Sequence, residues 1–545
     1  MLTLSAVVLL GLALRLHGLH SPLLDHPGWR QGDTAAIARN FATLQYNILY
    51  PQTDYNGPPP NYVELELQIV PFLAATLYKI FGIHEVFGRL ISLAFGLATI
   101  AVTGLFARRL FRSDVAGIAA AALYAVLPGS IYYSRTFMPD TAMVFFLTAA
   151  VYACVRWFYD ETPGSWRGFP AAALLMMAAF LAKPVAVAGI IPVAAASFGR
   201  FGFRGTLTRP HTYALLAVAF IPLAAYGKAV NAHAEWHWAS GIMQQHVVPQ
   251  FLAALTSAAA FAQKLVYFRL ALGMLWHTML GPFGTLLLAG GLLVPLRRRE
   301  GAVLYGWLAG ALAYIYVVVT VERVDYYLYL VLPLAALAGG NLLARAWLFV
   351  RPQPWRNAAV FAAAVLFPVM TFADRRLVAP YYAYSKANYV AAKALDATLP
   401  AGALIVMGHY DPSILYYINR KGWEEDPYLW TPFDEQSAIR KGARAFVSVE
   451  HNRLRRNVEL YAWLARFPVD ECKRWPVYET DYAKVLPGAE ERWRAFRRAE
   501  KAGQLPFPTT SRTSPSAPTT SNVPAASTNP CSAGSSRPGA RRTSI

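Results

Sequence analysis

The segment GWRQGDT (residues 28–34) is a short polar stretch that follows a first apolar run ending near Leu14. It places Arg30 and Asp33 three residues apart, next to Trp29, in a chain that is otherwise mostly hydrophobic. Charged side chains at a bilayer surface cost free energy unless they pair with a partner or take part in chemistry. We therefore interpret this segment as the centre of an active site in a membrane protein.

The composition around this segment is that of a polytopic membrane protein. Of 545 residues, 56% are hydrophobic and 15% are charged, and the mean hydropathy is +0.32. The net charge of +19 would suggest nucleic-acid binding in a soluble protein, but here the arginines cluster in short loops between apolar stretches, where they act as topology signals. We therefore expect membrane lipids, and no nucleic acid, as partners. The cysteines (Cys154, Cys472 and Cys531) show neither metal-ligand spacing nor a disulfide framework.

Apolar stretches recur along most of the chain and predict the membrane crossings. Residues 2–16 lack the basic leader and cleavage site of a secretory signal, so we expect a retained first span. The further predicted stretches are 86–107, 114–133, 139–158, 169–182, 184–198, 211–228, 278–296, 301–320, 328–349 and 358–373. The two stretches that flank Lys183 are shorter than the roughly 20 residues of a full crossing, so they form either one long helix or a hairpin.

Arginine placement favours the hairpin. Arginine-rich loops lie at 108–112, 200–209, 297–299 and 351–356. If all four are cytoplasmic, as the positive-inside rule prefers, the two stretches around Lys183 must both cross the bilayer. The prediction is about eleven spans in the plasma (inner) membrane, with a cytoplasmic N-terminus and an external, periplasmic chain after residue 373. The segments expected on the external face are residues 28–85, 134–140, 183, 229–277 and 322–327.

The expected fold class is an α-helical polytopic membrane protein with a large first external loop, followed by a small external α/β domain. In the first loop, residues 33–44 and 65–81 have helical periodicity and predict interfacial helices. The predicted domains are a transmembrane domain (1–375), an α/β domain (376–505) and a disordered Ser/Thr/Pro-rich tail (506–545).

The second domain is predicted from alternating strand and helix patterns. The predicted strands are 403–407 and 444–450, and the predicted helices are 411–420 and 452–467.

Four motifs together carry a family resemblance. They are WRQGDTAAIARNF (29–41), YVELE (62–66), SRTFMPD (134–140) and DYYL (325–328), the last standing before a Leu-Pro pair (332–333). In order and spacing, over roughly residues 1–375, this set resembles the bacterial members of the dolichyl-phosphate-mannose protein mannosyltransferase superfamily, which also includes the aminoarabinose transferases acting on lipid A.

The resemblance implies an enzyme that takes a sugar from a polyprenyl-phosphate carrier at the external face and transfers it with inversion. The acceptor is a protein, a lipid or a glycan. The chain departs from the family at one position, because the usual acidic pair of the first loop is here Asp33 followed by Thr34.

The residues fit this chemistry independently. An acceptor hydroxyl that displaces a phosphate needs a carboxylate to take its proton and cations to stabilise the leaving group. Asp33 is the candidate base, or else a helix N-cap. Asp140 is the second catalytic candidate, or else it pairs with Arg135 or caps its helix. Glu64 and Glu66 are candidates for orienting the acceptor or binding a cation, or else lie in a solvated loop.

The candidate phosphate-binding cations are Arg30, Arg135, Lys183 and Arg323. Lys183 would lie deep at the hairpin turn, where either a lipid phosphate or snorkelling to the surface stabilises an ammonium. Tyr326 and Tyr327 are candidates for stacking on a sugar, or else form an interfacial belt.

No cofactor is expected with certainty, and a divalent metal is left open. His233 and His237 are close in sequence, but no third ligand stands at a suitable spacing. The predicted function is an integral membrane glycosyltransferase. The alternative is a multi-span lipid or sugar transporter or flippase, which the hydropathy pattern does not favour because it shows no internal repeat.

Overall fold

The computed structural model describes residues 2–162, 164–471 and 473–502. The predicted tail at 506–545, Cys472 and Cys531 lie outside these residues. The chain forms two compact units, one of Met1–Thr398 with Asp411–Arg420 and the other of Leu399–Tyr410 with the chain from Lys421 onward. The division therefore falls later than the predicted boundary at residue 375, and a short later segment belongs to the first unit.

The first unit is almost entirely helical. Its α-helices, numbered along the chain, are α1 (Leu2–Arg15), α2 (Gly28–Thr43), α3 (Ile69–Phe81), α4 (Val86–Phe111), α5 (Asp114–Val126), α6 (Pro128–Tyr133), α7 (Asp140–Asp160), α8 (Phe169–Ala182), α9 (Ile190–Leu207), α10 (Pro210–Asn231), α11 (Trp238–Gly241), α12 (Val248–Thr256), α13 (Ala258–Met274), α14 (Gly281–Leu293), α15 (Arg298–Tyr314), α16 (Thr320–Glu322), α17 (Leu332–Val350), α18 (Arg356–Val378), α19 (Lys386–Thr398) and α20 (Pro412–Ile418).

Short irregular helices and one strand pair complete the unit. The 3-10 helices are Pro184–Gly189, Asp325–Val331 and Ala379–Tyr382, and the π-helices are Ile242–Val247, Leu275–Met279 and Ile315–Val319. The two-residue strands β1 (Val63–Glu64) and β2 (Trp236–His237) pair in parallel.

Within the described residues, eight helices are long and apolar enough to cross a membrane. They are Val86–Phe111, Asp140–Asp160, Pro184–Leu207, Pro210–Asn231, Ala258–Met279, Arg298–Glu322, Asp325–Val350 and Arg356–Thr398. Five apolar helices are shorter, namely Thr3–Arg15, Ile69–Phe81, Asp114–Val126, Phe169–Ala182 and Gly281–Leu293. A multi-pass membrane protein is thereby confirmed, whereas the count of eleven spans and the orientation stay predictions.

One predicted loop is wrong in part. Residues 229–277 were expected to connect two spans, but Ala258–Met279 is an apolar helix of span length. Lys264 and Arg269 interrupt its hydrophobic pattern, which is why the sequence reads as a loop.

Small residues let the central helices approach one another. A Cβ atom added at Gly340 of α17 would lie 2.8 Å from Cβ of Ala120 in α5. Such close contact is how helices associate in membranes, where burial of apolar surface supplies little attraction. The helices α5 and α17 are therefore closely packed against each other.

The second unit contains a five-stranded mixed sheet with helices. The strands are β3 (Leu404–Met407), β4 (Lys421–Glu424), β5 (Ala443–Val447), β6 (Val469–Asp470) and β7 (Val477–Tyr478), in the order β4-β3-β5-β7-β6. The helices are α21 (Pro432–Arg440), α22 (His451–Arg456), α23 (Val458–Leu464) and α24 (Ala489–Lys501). The parallel pairs β3–β4 and β3–β5 form the α/β part, and fully buried Trp463 and Phe446 lie in its core.

The predicted elements at 403–407 and 444–450 are confirmed as strands. The predicted helix at 452–467 is two helices, α22 and α23, because the side chain of Asn457 caps the second one. An external position for this unit stays a prediction.

The orientation can be tested with reporter fusions. We expect a periplasm-active reporter fused after about residue 375 to be active and the same reporter fused next to Arg298 to be inactive, because short arginine-rich loops stay in the cytoplasm. A cytoplasm-active reporter at the same two positions is the control and should show the reverse. Activity of the periplasmic reporter at Arg298 would contradict the topology.

Candidate functional site

Helix α2 carries the polar segment, and it is buried along most of its length. It begins at Gly28, after Pro27, and no side chain caps its N-terminus. Asp33 therefore lies in the second helical turn, and the N-cap alternative for Asp33 is wrong. A buried carboxylate in that position needs another explanation.

A glycine brings α2 against α20. A Cβ atom at Gly32 would lie 2.5 Å from the Cα atom of Ser413 and 2.7 Å from its backbone nitrogen. Backbone atoms cannot rotate aside, so only glycine fits at this position. Arg39 extends the contact, because its Nη1 donates to the carbonyl oxygen of Tyr416 at 3.0 Å.

We expect Gly32→Ala to destabilise the protein by about 1–3 kcal/mol, the usual cost of forcing an extra carbon into a packed contact. Gly227→Ala in α10 is the matched control, because a Cβ atom at Gly227 meets no atom within 4 Å. Thermal unfolding of the purified protein in detergent measures both. An equal midpoint for Gly32→Ala and the wild type would contradict the close packing.

Asp33 is the only carboxylate of α2. It is 1% exposed, and its Oδ1 atom has no hydrogen-bond partner in the described part of the chain. Burial raises the pKa of Asp33 to about 7, although Arg30 and a hydrogen bond from Tyr55 oppose the shift. A carboxylate with a pKa near neutrality suits a general base.

Arg30 and Glu66 form the first of two buried ion pairs, in which Nη2 of Arg30 contacts Oε1 of Glu66. Burial alone would lower the pKa of Arg30, but the Glu66 carboxylate outweighs burial and raises it. The predicted substrate residues Arg30 and Glu66 are thereby brought together.

Lys183 and Asp140 form the second pair, with Nζ of Lys183 2.6 Å from Oδ1 of Asp140. Lys183 has an extended backbone between α8 and the following 3-10 helix, so the two short apolar stretches are separate helices. Its ammonium lies 4.3 Å from the ring centroid of Tyr327 and 5.2 Å from that of Tyr326. Asp140 pairs with Lys183 and Arg135 pairs with Asp25, so the predicted Asp140–Arg135 pair is wrong. Asp140 begins α7 without a capping bond, so its capping role is wrong as well.

Arg30, Glu66 and Lys183 border one cavity of about 600 Å³. Its polar lining consists of Arg30, Glu66, Lys183, Glu322, Tyr314, Tyr326 and Tyr327. The rest of the wall is apolar or aromatic and includes Trp29, Leu65, Val187, Ile191, Trp238, Ile242, Met243 and Val317. An apolar cavity with a few convergent charges is the usual form of a ligand site.

Asp33 and Asp140 do not line this cavity. Asp140 is one ion pair behind Lys183, and Asp33 lies one helical turn from Arg30 on the side where Tyr55 bonds it. Asp140 therefore contacts a cation of the cavity wall, whereas Asp33 interacts with Arg30 through its charge alone.

Glu64 lies outside the cavity. Its Oε2 atom accepts hydrogen bonds from the backbone nitrogen of Ser240 at 2.9 Å and from its hydroxyl at 3.0 Å. This contact holds Ser240 of α11 next to the strand pair β1–β2.

Arg135 also lies outside the cavity. Its Nη2 donates to Oδ2 of Asp25 at 2.5 Å, and Nη2 of Arg89 donates to Oδ1 of the same carboxylate at 2.9 Å. All three side chains are fully buried. Gln31 of α2 also bonds Asp25, at 2.7 Å, so this cluster holds the start of α2 in place.

Arg323 borders a different, smaller pocket. Its guanidinium lies 4.7 Å from the ring centroid of Tyr267, and its backbone has the left-handed φ of 52°. The predicted role of Arg323 at the same phosphate as Arg30 and Lys183 has no geometric support here.

Asp325 directly precedes Tyr326 of the cavity wall, and its sequence context assigned it no role. Its carboxylate accepts a hydrogen bond from Tyr133 at 2.7 Å and another from Tyr381, and Nε2 of His26 lies 3.4 Å away. Its position directly before Tyr326 was the available signal. Asp25 offered no comparable signal, because its partners are distant in sequence.

Among the residues described, no group of three or more His, Cys, Asp or Glu side chains converges as metal ligands would. The two histidines of the predicted cluster have other partners. His233 bonds the carbonyl oxygen of Leu49 at 2.8 Å, and His237 bonds Oδ1 of Asn231 at 2.5 Å.

Comparisons with known proteins confirm the predicted resemblance. Residues 68–226 match the family model of dolichyl-phosphate-mannose-protein mannosyltransferases. The structure of ArnT from Cupriavidus metallidurans bound to undecaprenyl phosphate is similar over 89% of this chain and 99% of its own, with 15% identity and a TM-score of 0.57. The archaeal oligosaccharyltransferase AglB from Archaeoglobus fulgidus, in complex with an inhibitory peptide and a dolichol-phosphate, is similar over 89% and 74% of the two chains, with 12% identity and a TM-score of 0.53. No curated protein sequence matches. At these identities the solved structures establish a shared fold.

Proposed function

We propose that this chain, which carries the family signature of the dolichyl-phosphate-mannose protein mannosyltransferases and the fold of ArnT and AglB, is an integral membrane glycosyltransferase. It transfers one sugar, a hexose or a pentose, from a polyprenyl-phosphate carrier to a protein, lipid or glycan acceptor at the external face. The observation that carries the proposal is the apolar cavity with Arg30 and Lys183 on its wall.

The cavity wall suits both ends of such a donor. Its apolar side chains fit isoprene units, while Arg30 and Lys183 supply donors for the phosphate. Glu66 and Asp140 fix the two cations in position before the donor binds. Because the surroundings are apolar, each cation interacts more strongly with a phosphate than it would in water.

The transfer step that we propose is a single displacement. The acceptor hydroxyl oxygen attacks the anomeric carbon, the bond from that carbon to the phosphate oxygen breaks, and Asp33 takes the hydroxyl proton. The electron pair of the broken bond leaves on the phosphate, whose charge Arg30 and Lys183 stabilise. Attack from the side opposite the phosphate inverts the anomeric carbon.

The raised pKa of Asp33 supports its role as the base. Since Asp33 lies one helical turn from Arg30, the acceptor hydroxyl reaches the anomeric carbon beside the phosphate that Arg30 binds. Tyr326 and Tyr327, which contact Lys183, are placed to stack on the sugar. No feature of the site favours the transporter alternative.

Mass spectrometry of envelope glycans, proteins and lipids tests the proposal. We expect cells that lack the gene to lose one defined sugar from one acceptor class, and complementation with the wild type, but not with Asp33→Asn, to restore it. An unchanged sugar inventory would contradict the proposal.

A further inference from the structure

A second pocket, of about 310 Å³, is lined by two cations without a carboxylate. In the part of the chain that the structure describes, the lining residues are Gln250, Ala253, Ala260, Gln263, Lys264, Tyr267 and Arg323. It lies where α12 and α13 meet the end of α16. None of the residues of the glycosyl-transfer cavity lines it.

Lys264 is the buried member of the pocket, with 3% of its surface exposed. Its Nζ donates to the carbonyl oxygen of Tyr316 at 2.8 Å and to Oγ1 of Thr320 at 2.6 Å. These two neutral acceptors use two of the three N–H donors of the ammonium and leave its charge uncompensated. A charged group on a membrane helix is costly without a counter-ion, which makes Lys264 a candidate ligand residue.

Arg323 adds a second positive charge at the rim. It stacks over Tyr267, and its Nε donates to the carbonyl oxygen of Val321 at 3.2 Å, so its remaining N–H donors are available. Neither Arg323 nor Lys264 forms an ion pair with any described carboxylate. Gln250 and Gln263 contribute amide donors beside the two cations.

The surroundings indicate what kind of anion binds there. Exposed apolar side chains lie on α12 and α13, the helices that carry most of the pocket, namely Leu252, Leu255, Phe261, Leu265, Val266 and Leu270. An inorganic anion makes no favourable contact with apolar side chains, whereas the acyl chains of a lipid pack against them. Two cations and two amides match the oxygens of a phosphate.

We propose that this pocket binds the phosphate headgroup of an anionic phospholipid. The lipid lies against α12 and α13, separate from the polyprenyl-phosphate donor, and its phosphate neutralises Lys264 and Arg323. The lipid thereby holds α13 against the π-helix Ile315–Val319 and α16, whose residues Tyr316 and Thr320 bond Lys264.

Native mass spectrometry of the purified full chain, titrated with phosphatidylglycerol in phosphatidylcholine micelles, tests the proposal. We expect Arg323→Gln and Lys264→Met each to weaken phosphatidylglycerol binding about tenfold, as the loss of one charge-assisted contact should. Arg269→Gln is the matched control, because Arg269 is an exposed cation on the same helix outside the pocket. It should bind the lipid like the wild type.

Arg323 is exposed, so its substitution tests the site without risk to folding. Wild-type affinity in Arg323→Gln and Lys264→Met would overturn the proposal. Inorganic phosphate alone serves as a second probe. If it bound with the same dependence on Lys264 and Arg323 while phosphatidylglycerol did not bind, the lipid would be the wrong source and the proposal would also fail.

Discussion

Asp33→Asn is expected to lower the rate of sugar transfer by a factor of about 100 to 10,000, the usual effect of removing a positioned general base. Asparagine keeps the shape of the side chain but cannot take a proton. Because Asp33 does not cap α2, the substitution removes no capping bond. Single-turnover transfer from a radiolabelled polyprenyl-phosphate sugar measures the loss, and carrier binding should be retained.

The matched control is Glu435→Gln, which neutralises another buried carboxyl in the second unit. We expect it to leave the transfer rate unchanged. If the Asp33→Asn protein transferred sugar at a near-normal rate, the base would have to be another carboxylate, and Asp140 would be the next candidate.

The pH profile gives an independent readout of the same residue. Burial raises the pKa of Asp33 to about 7, and only the ionised form can accept the hydroxyl proton. Activity should therefore rise with pH, with a midpoint near the pKa of Asp33, and then level off. A profile that falls through this range would contradict Asp33 as the base.

Lys183→Met is the second substitution with a large expected effect. It removes a cation that we propose binds the donor phosphate, so we expect donor binding to weaken by a factor of about 10 to 100. It also leaves Asp140 buried without its partner, which typically costs about 3–5 kcal/mol of stability. Thermal unfolding and titration with the polyprenyl-phosphate sugar measure the two effects separately.

The double variant Lys183→Met/Asp140→Asn separates the effect on donor binding from the effect on stability. It removes the stranded carboxylate, so stability should recover while donor binding stays weak. Recovery of donor binding in the double variant would show that Lys183 acts only by neutralising Asp140.

The sequence singled out five residues that line the cavity, namely Arg30, Glu66, Lys183, Tyr326 and Tyr327. The segment 28–34 and the pair Tyr326–Tyr327 interrupt apolar stretches, and a polar interruption in a membrane chain is rarely without a role. The partners of these residues were not predictable in the same way. Arg30 pairs with a residue 36 positions away and Lys183 with one 43 positions away, and the helix packing that joins them has no local pattern.

Arg135 and Arg323 show the limit of reasoning from charge alone. Both were expected at the donor phosphate because the topology placed them on the same face. The structure assigns Arg135 to Asp25 and Arg323 to a separate pocket. A cation on the right face of a membrane protein can meet any of several anions, and only the packing decides which one.

The contact between α2 and α20 can form only after Pro412–Ile418 has been synthesised. Besides Gly32 against Ser413, the hydroxyl of Tyr417 accepts a hydrogen bond from the backbone nitrogen of Leu23 at 2.7 Å, across 394 positions of chain. Every apolar helix in the described part of the chain is therefore synthesised before the segment that covers α2. A chain released before Asp411 would contain every apolar helix of the described residues and would still lack the surface that buries the face of α2 at Gly32. The packing of α2 is thus completed only late in the synthesis of this unit.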